Sequence, residues 1–259
     1  MNKVVRLGTQ VSIVLLGLAV GFTVGNAVRP AAAAVPSCSS GETCWARGDF
    51  SPTSATGGAY VQTTVVGLTA TSGKSGDYLN QELWEDTSGG NVSSGSDWVE
   101  VGYSYDNGAC GSTSGLKWFV DQVENDVQVA TDCNPVPTAP TPTVGSTHQL
   151  EIQETSGSTW GVYLDGVLVD SYTQPSGWSY GSSTGLEYHD APPYNGFSGD
   201  ATYSYQEFRS TACCTWSYWP TATSTNGSSY GGTDGASIYD WLWTSTNPYD
   251  HGYNSQILN

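Results

Sequence analysis

The chain has 259 residues, with 24 acidic against seven basic side chains, a net charge of −17 at pH 7 and 12% aromatic residues. A balance of that sign repels nucleic acid and excludes a polyanion-binding role. Six cysteines, an even number with no C-x-x-C pair, argue for disulfides over a metal site or a catalytic thiol.

At the N-terminus Lys3 and Arg6 precede an apolar run from Val11 to Val24, followed by the small-residue stretch Ala31 to Ala34. This is the layout of a cleavable secretory signal, 1–34, with cleavage after Ala34. A membrane anchor is the alternative, but Gly17, Gly21 and Gly25 punctuate the run and no stop-transfer charge cluster follows. The mature chain, 35–259 and about 225 residues, is expected to be a secreted, extracellular single domain with no membrane attachment, and monomeric. It keeps only Arg47, Lys74, Lys117 and Arg209 against all 24 acids. Such a balance suits an acidic medium, although solubility alone also accounts for it.

Almost nothing after the signal reads as helix. Short alternating runs rich in Val, Thr, Tyr and Trp are broken by Gly, Ser, Asn and Pro, which predicts many short strands. In chain order they are Ala59 to Leu68, Tyr78 to Glu85, Trp98 to Tyr105, Leu116 to Val123, His148 to Glu154, Trp160 to Leu164, Val167 to Tyr172, Gly185 to Tyr188 and Ala201 to Phe208. In the clearest, Val99, Val101, Tyr103 and Tyr105 share a core face, and Trp98, Glu100, Gly102 and Ser104 share an open one. Asp165-Gly166 predicts a two-residue hairpin turn in primed geometry. Cys133 to Thr147, with four prolines, reads as a surface connection. The segment 210–259, rich in Ser, Thr, Gly, Tyr and Trp, is too aromatic for a disordered tail and is expected to wrap the domain. The fold class is all-β: an antiparallel β-sandwich of jelly-roll type with twelve or more strands, bearing disulfides. Six thiols allow 15 connectivities. We favour Cys110 with Cys133, and Cys38 and Cys44 with Cys213 and Cys214 as a clasp.

Two carboxylates stand out. Glu100 has Gly102 two residues on, and Glu187 has Gly185 two residues before it and His189 two after, so a small residue neighbours each acid on its open face. The missing side chain leaves room for a ligand backbone, although ordinary solvent-facing glutamates beside strand bulges fit the same pattern. Two acids close together share a proton, one raised in pKa and the other ionised.

The run Glu100-x-Gly102-Tyr103, then Trp118, then Trp160-x-Val162-Tyr163 before the hairpin, then Gly185-x-Glu187, is similar in order and spacing to the glutamic peptidases. It resembles most the neprosin branch, which uses two glutamates, and more remotely the fungal branch, which pairs Gln with Glu. The resemblance implies a concanavalin-like sandwich and a secreted endopeptidase active in acid. It makes Glu100 and Glu187 the catalytic pair, with Trp98, Gly102, Trp118, Gly185 and His189 on the substrate side. A polypeptide substrate is implied, with no cofactor, no metal and weak activity at neutral pH.

Other chemistry is less supported. His148, His189 and His251 lack metal spacing, and no Gly-x-Ser-x-Gly elbow supports a serine triad. Glu151 and Glu154 point to opposite faces of a strand. Loop aspartates such as Asp106 or Asp200 form no legible calcium motif. Ten Trp and sixteen Tyr supply the rival class, a lectin-like carbohydrate-binding sandwich without catalysis that stacks polysaccharide on exposed rings such as Trp178, Tyr180, Trp241 and Trp243.

Overall fold

The computed structural model describes residues 43–69, 78–87, 97–106, 115–125, 127–133, 141–174, 179–189, 196–197, 201–210, 215–220, 222–228, 239–243 and 250–256. The signal segment, Cys38, Cys110, Cys213, Cys214, Trp178 and Asp200 lie outside them, as do the side chains of Asp106, His189, Trp241, Trp243 and His251.

No helix occurs among the described residues. The strands are β1 (Thr43–Phe50), β2 (Gly58–Thr64), β3 (Leu68–Thr69), β4 (Tyr78–Asp86), β5 (Trp98–Asp106), β6 (Lys117–Glu124), β7 (Val127–Cys133), β8 (Thr147–Ser156), β9 (Thr159–Leu164), β10 (Val167–Thr173), β11 (Gly181–His189), β12 (Gly196–Phe197), β13 (Ala201–Arg209), β14 (Trp216–Tyr218), β15 (Thr223–Ser228), β16 (Tyr239–Trp243) and β17 (Asp250–Gln256). They build an antiparallel two-sheet sandwich. One sheet runs β15-β1-β11-β4-β5-β6-β7, and the other runs β10-β9-β8-β2-β13-β17-β16 with β14 added to β13. All nine predicted runs contain a strand. β1, β7 and the short β12 are additions, and 210–259 does not merely wrap the sandwich: its four strands extend both sheets.

The core follows from alternation. Ala46, Leu186, Leu79, Leu83, Val99, Val101, Tyr103, Trp118 and Val120 project from the first sheet, and Ala59, Val61, Leu150, Ile152, Trp160, Val162 and Tyr203 meet them from the second. Each large apolar side chain fully buried there contributes about 1.5–3 kcal/mol. The Asp165-Gly166 hairpin has φ of 51° and 74°, the two positive values that a primed turn requires. Asp165 also accepts hydrogen bonds from the Gln149 amide at 2.9 Å and pairs with His148 Nδ1 at 2.7 Å. His148 is thus a packing residue, its ring 4.8 Å from Trp118.

Polar groups tie the sheets together. The Tyr203 hydroxyl, from β13, contacts Gln81 Oε1 of β4 and lies 2.9 Å from the Gly185 carbonyl of β11. Gln206 Nε2 donates to Thr184 Oγ1 at 2.6 Å. Glu85, fully buried on the core face of β4, accepts hydrogen bonds from Ser179 and Ser182. Burial nonetheless pushes its carboxyl up to about 8.

Cys44 ends up near one edge of the first sheet and Cys133 on the other edge strand, with β11, β4, β5 and β6 between them. At roughly 4.8 Å per strand they are too far apart to bond each other.

The raised carboxyls set a pH dependence of stability. An acid whose folded pKa exceeds its unfolded value near 4.5 is still protonated in the fold when the unfolded chain has already ionised. Its contribution is therefore complete below about 4.5 and is lost as pH rises towards 8. Calorimetric melts are expected to give a higher Tm near pH 4 than near pH 8, and Glu85→Gln is expected to flatten that difference.

Candidate active site

The face of the first sheet turned away from the core carries the acids. Strand register arranges them in rows, because residues paired across antiparallel strands share a face. One row runs Arg47, Gly185, Glu82, Gly102, Phe119, across β1, β11, β4, β5 and β6. On one side of it lies Asp49, Ser183, Trp84, Glu100, Asp121, and on the other Trp45, Glu187, Asn80, Ser104, Lys117. Glu82 is the middle of this pattern. Glu100 and Glu187 sit diagonally from it on either side, paired with Trp84 and Asn80.

The two predicted glutamates therefore share a sheet, but β4 separates their strands. Their side chains converge over β4, so that an oxygen of each of Glu82, Glu100 and Glu187 lies within 4.8 Å of the other two. Glycine makes this possible. The positions beside Glu82 on both neighbouring strands are Gly102 and Gly185, and a side chain at either would stand between Glu82 and its diagonal partners. At both glycines a neighbouring strand approaches closely. A Cβ at Gly102 would lie 2.2 Å from the Gln81 carbonyl, and one at Gly185 would lie 2.4 Å from that of Ala46.

Each acid is held differently. Trp98 Nε1 donates to Glu100 Oε1 at 2.7 Å. The Tyr78 hydroxyl donates to Glu187 Oε1 at 2.6 Å. Asp121, next to Glu100 in its row, accepts from Thr131 Oγ1 at 3.0 Å, from the Gln122 amide at 2.9 Å and from Gln128 Nε2. Arg47 is the nearby cation; it pairs with Asp49 at 3.0 Å and lies over the rings of Trp45 and Trp84.

Burial and the negative charge of Glu100 act together on its neighbours. They push Glu187 up to about 8 and Asp121 up to about 7, and raise Glu82 well above the usual carboxylate range. The Tyr78 hydrogen bond and Arg47 pull Glu187 back in part. Desolvation is the largest cause in all three. The arrangement offers an acceptor carboxylate beside protonated acids, the requirement for general acid–base work. Three clustered carboxylate oxygens are also a donor set for a hard cation.

Trp98 and both glycines belong to the site. Trp118 does not. It pairs with Tyr103, so alternation turns it into the core, 2% exposed and edge-on to the Tyr103 ring at 5.9 Å. His189 ends β11, opposite Tyr78 and Thr43. The site is less open than its sequence implies, since Glu100 is only 4% exposed. Sequence reasoning missed Glu82, Asp121 and Tyr78. For Glu82 the available signal was a predicted strand, Tyr78 to Glu85, carrying four polar residues, Asn80, Gln81, Glu82 and Glu85, which an ordinary buried strand does not tolerate.

No protein-family model and no curated protein matches this chain. Among solved structures it is similar to scytalido-glutamic peptidase bound to a peptide-based transition-state analogue, with a TM-score of 0.57 and 12% identity over 83% of this chain and 98% of that one. It is also similar to SCP-B, described as a member of the eqolisin family of peptidases and bound to the tripeptide Ala-Ile-His, with a TM-score of 0.51 and 12% identity over the same shares. At these identities the likeness is one of fold.

The glycines give the site a steric test. Gly102→Ala and Gly185→Ala each force a methyl group into a neighbouring strand backbone and are expected to lower stability by about 1–3 kcal/mol. Denaturant titration checks the size, and the chemical shift of the Trp98 indole N–H, which depends on its hydrogen bond to Glu100, reports the displaced carboxylate.

Proposed function

We propose that this chain is a secreted endopeptidase of glutamic type, which hydrolyses peptide bonds with a water activated by Glu100 and Glu187. The observation that carries this reading is the convergence of Glu100 and Glu187 on one sheet face, one held by an indole N–H and the other raised to about 8.

In this mechanism Glu100 takes a proton from a water held between the two acids, and the water oxygen bonds to the peptide carbonyl carbon. Protonated Glu187 gives its proton to the carbonyl oxygen as the tetrahedral intermediate forms. Collapse returns that proton to Glu187, the carbon–nitrogen bond breaks, and the proton on Glu100 passes to the departing nitrogen. Both side chains end as they began, and the products are one acid and one amine. The fold likeness to peptidases that hold peptide analogues agrees with an extended polypeptide as substrate. Of the rings named for stacking polysaccharide, Tyr180 alone has a described side chain, and it is exposed, which keeps the binding module as the second reading.

The pH range follows from the sign of the Glu187 shift. The active form needs Glu187 protonated, so activity falls as pH rises through about 8. Burial thus carries activity further towards neutrality than two exposed glutamates would, which revises the sequence-based expectation of weak neutral activity. Purified mature protein is expected to cleave an unfolded polypeptide in acid and to lose that activity above about 8. Glu100→Gln, which removes the base, and Glu187→Gln, which removes the transferable proton, are each expected to reduce kcat by about 10²–10⁴-fold. Cleavage that survives both substitutions overturns the assignment. Retention on an insoluble polysaccharide without cleavage at any pH supports the binding module instead.

Export also implies three intramolecular disulfides and no free thiol. Thiol labelling of the denatured, unreduced secreted protein is expected to modify none of the six cysteines.

A further inference from the structure

The reaction above leaves Glu82 without a task, although it occupies the centre of the site. Glu82 is fully buried, and among the described residues neither of its carboxylate oxygens meets an N–H or hydroxyl donor. Its polar company is the oxygens of Glu100 and Glu187, within 4.8 Å. The groups facing it are Glu100 from β5, Asp121 and Lys117 from β6, Glu187 from β11, Arg47 and Asp49 from β1, and Tyr78 and Asp86 from β4 itself; Tyr203 of β13 lies behind it. Arg47, the cation nearest the acids, is paired with Asp49. An ionised Glu82 would be a buried charge with no donor, which costs several kcal/mol, whereas a protonated carboxyl has a hydrogen to give.

We propose that Glu82 remains protonated while the site works and donates its hydrogen to Glu100, so that it is a positioning residue holding the base in place. The site then carries two protons with different duties. The one on Glu187 is transferred in each turnover and the one on Glu82 stays. Burial and the Glu100 charge, which lift Glu82 well above the usual carboxylate range, agree with this assignment. The kinetic part of the test rests on the peptidase reading, but the spectroscopic part does not.

Infrared difference spectra of wild type minus Glu82→Gln at neutral pH are expected to show the carbonyl band of a protonated carboxyl group; carboxylate bands in its place overturn the proposal. In kinetics, Glu82→Gln keeps an N–H donor where the carboxyl proton was and is expected to hold close to the wild-type rate. Glu82→Leu keeps the bulk without the donor and is expected to lose on the order of ten- to a hundredfold in kcat. Melting curves of both variants confirm that the fold is kept. A Gln variant as impaired as the Leu variant overturns the proposal. If wild type shows no peptidase activity, the peptidase reading fails and the infrared spectra decide the state of Glu82.

Discussion

Carboxylates as close as Glu82, Glu100 and Glu187 cannot all be charged at once, and much of the molecule is arranged around that fact. At 4.8 Å and an effective dielectric near 20, each ionised pair repels by about 3–4 kcal/mol. Arg47, already engaged with Asp49 and two indole rings, offsets only part of this. Protonation, which burial favours at Glu82 and Glu187, relieves this repulsion. The two sides of β4 follow the same rule: Glu85 on the core face is as dry as Glu82 on the other, and both are raised by burial. Stability and the proposed chemistry thus respond to pH through the same physical cause.

The scaffold beneath the acids is stiff where it needs to be. Tyr203 reaches across the core to Gln81 and to the Gly185 carbonyl, immediately behind the row that contains Glu82. This ties β4 and β11 to the second sheet at the point where the diagonal glutamates must meet. Trp98 and Tyr78 then fix Glu100 and Glu187 from opposite sides. An acid–base pair positioned in this way loses little freedom when a substrate arrives.

The sequence was legible where a strand had one apolar and one polar face. Trp98 to Tyr105 placed Glu100 and Gly102 on the face away from the core because Val99, Val101 and Tyr103 could only be the other one. Gly185 to Tyr188 placed Glu187 in the same way through Leu186. Glu82 was invisible to that argument, since Asn80, Gln81 and Glu82 follow one another and alternation assigns no face to three polar residues in a row. β1 was missed for a related reason: Trp45, Arg47 and Asp49 on one face answer Cys44, Ala46 and Gly48 on the other, which looks like neither a strand nor a turn. The predicted role of Trp118 failed because it required a pairing partner. Only the register with Tyr103 shows which way the ring points. The strands of 210–259 gain their meaning from partners far away in the chain, β1 and β13, which composition does not reveal.

A strand that is polar on both sides raises a separate issue, that of how β4 finds its place during folding. In most half-buried strands a one-residue slip exposes the apolar set, and the hydrophobic effect rejects it. In β4 a slip exchanges Gln81, Leu83 and Glu85 for Glu82, Trp84 and Asp86, two sets of similar polarity, so hydrophobicity discriminates poorly between them. Discrimination falls instead to shape. Gly102 accepts the β4 backbone so closely that the native alignment places a residue without a Cβ at the crowded point, as Gly185 does for β1. The alignment of the central strand is thus proofread by steric fit at Gly102, and its loss favours misaligned, aggregation-prone chains before it costs a well-packed core.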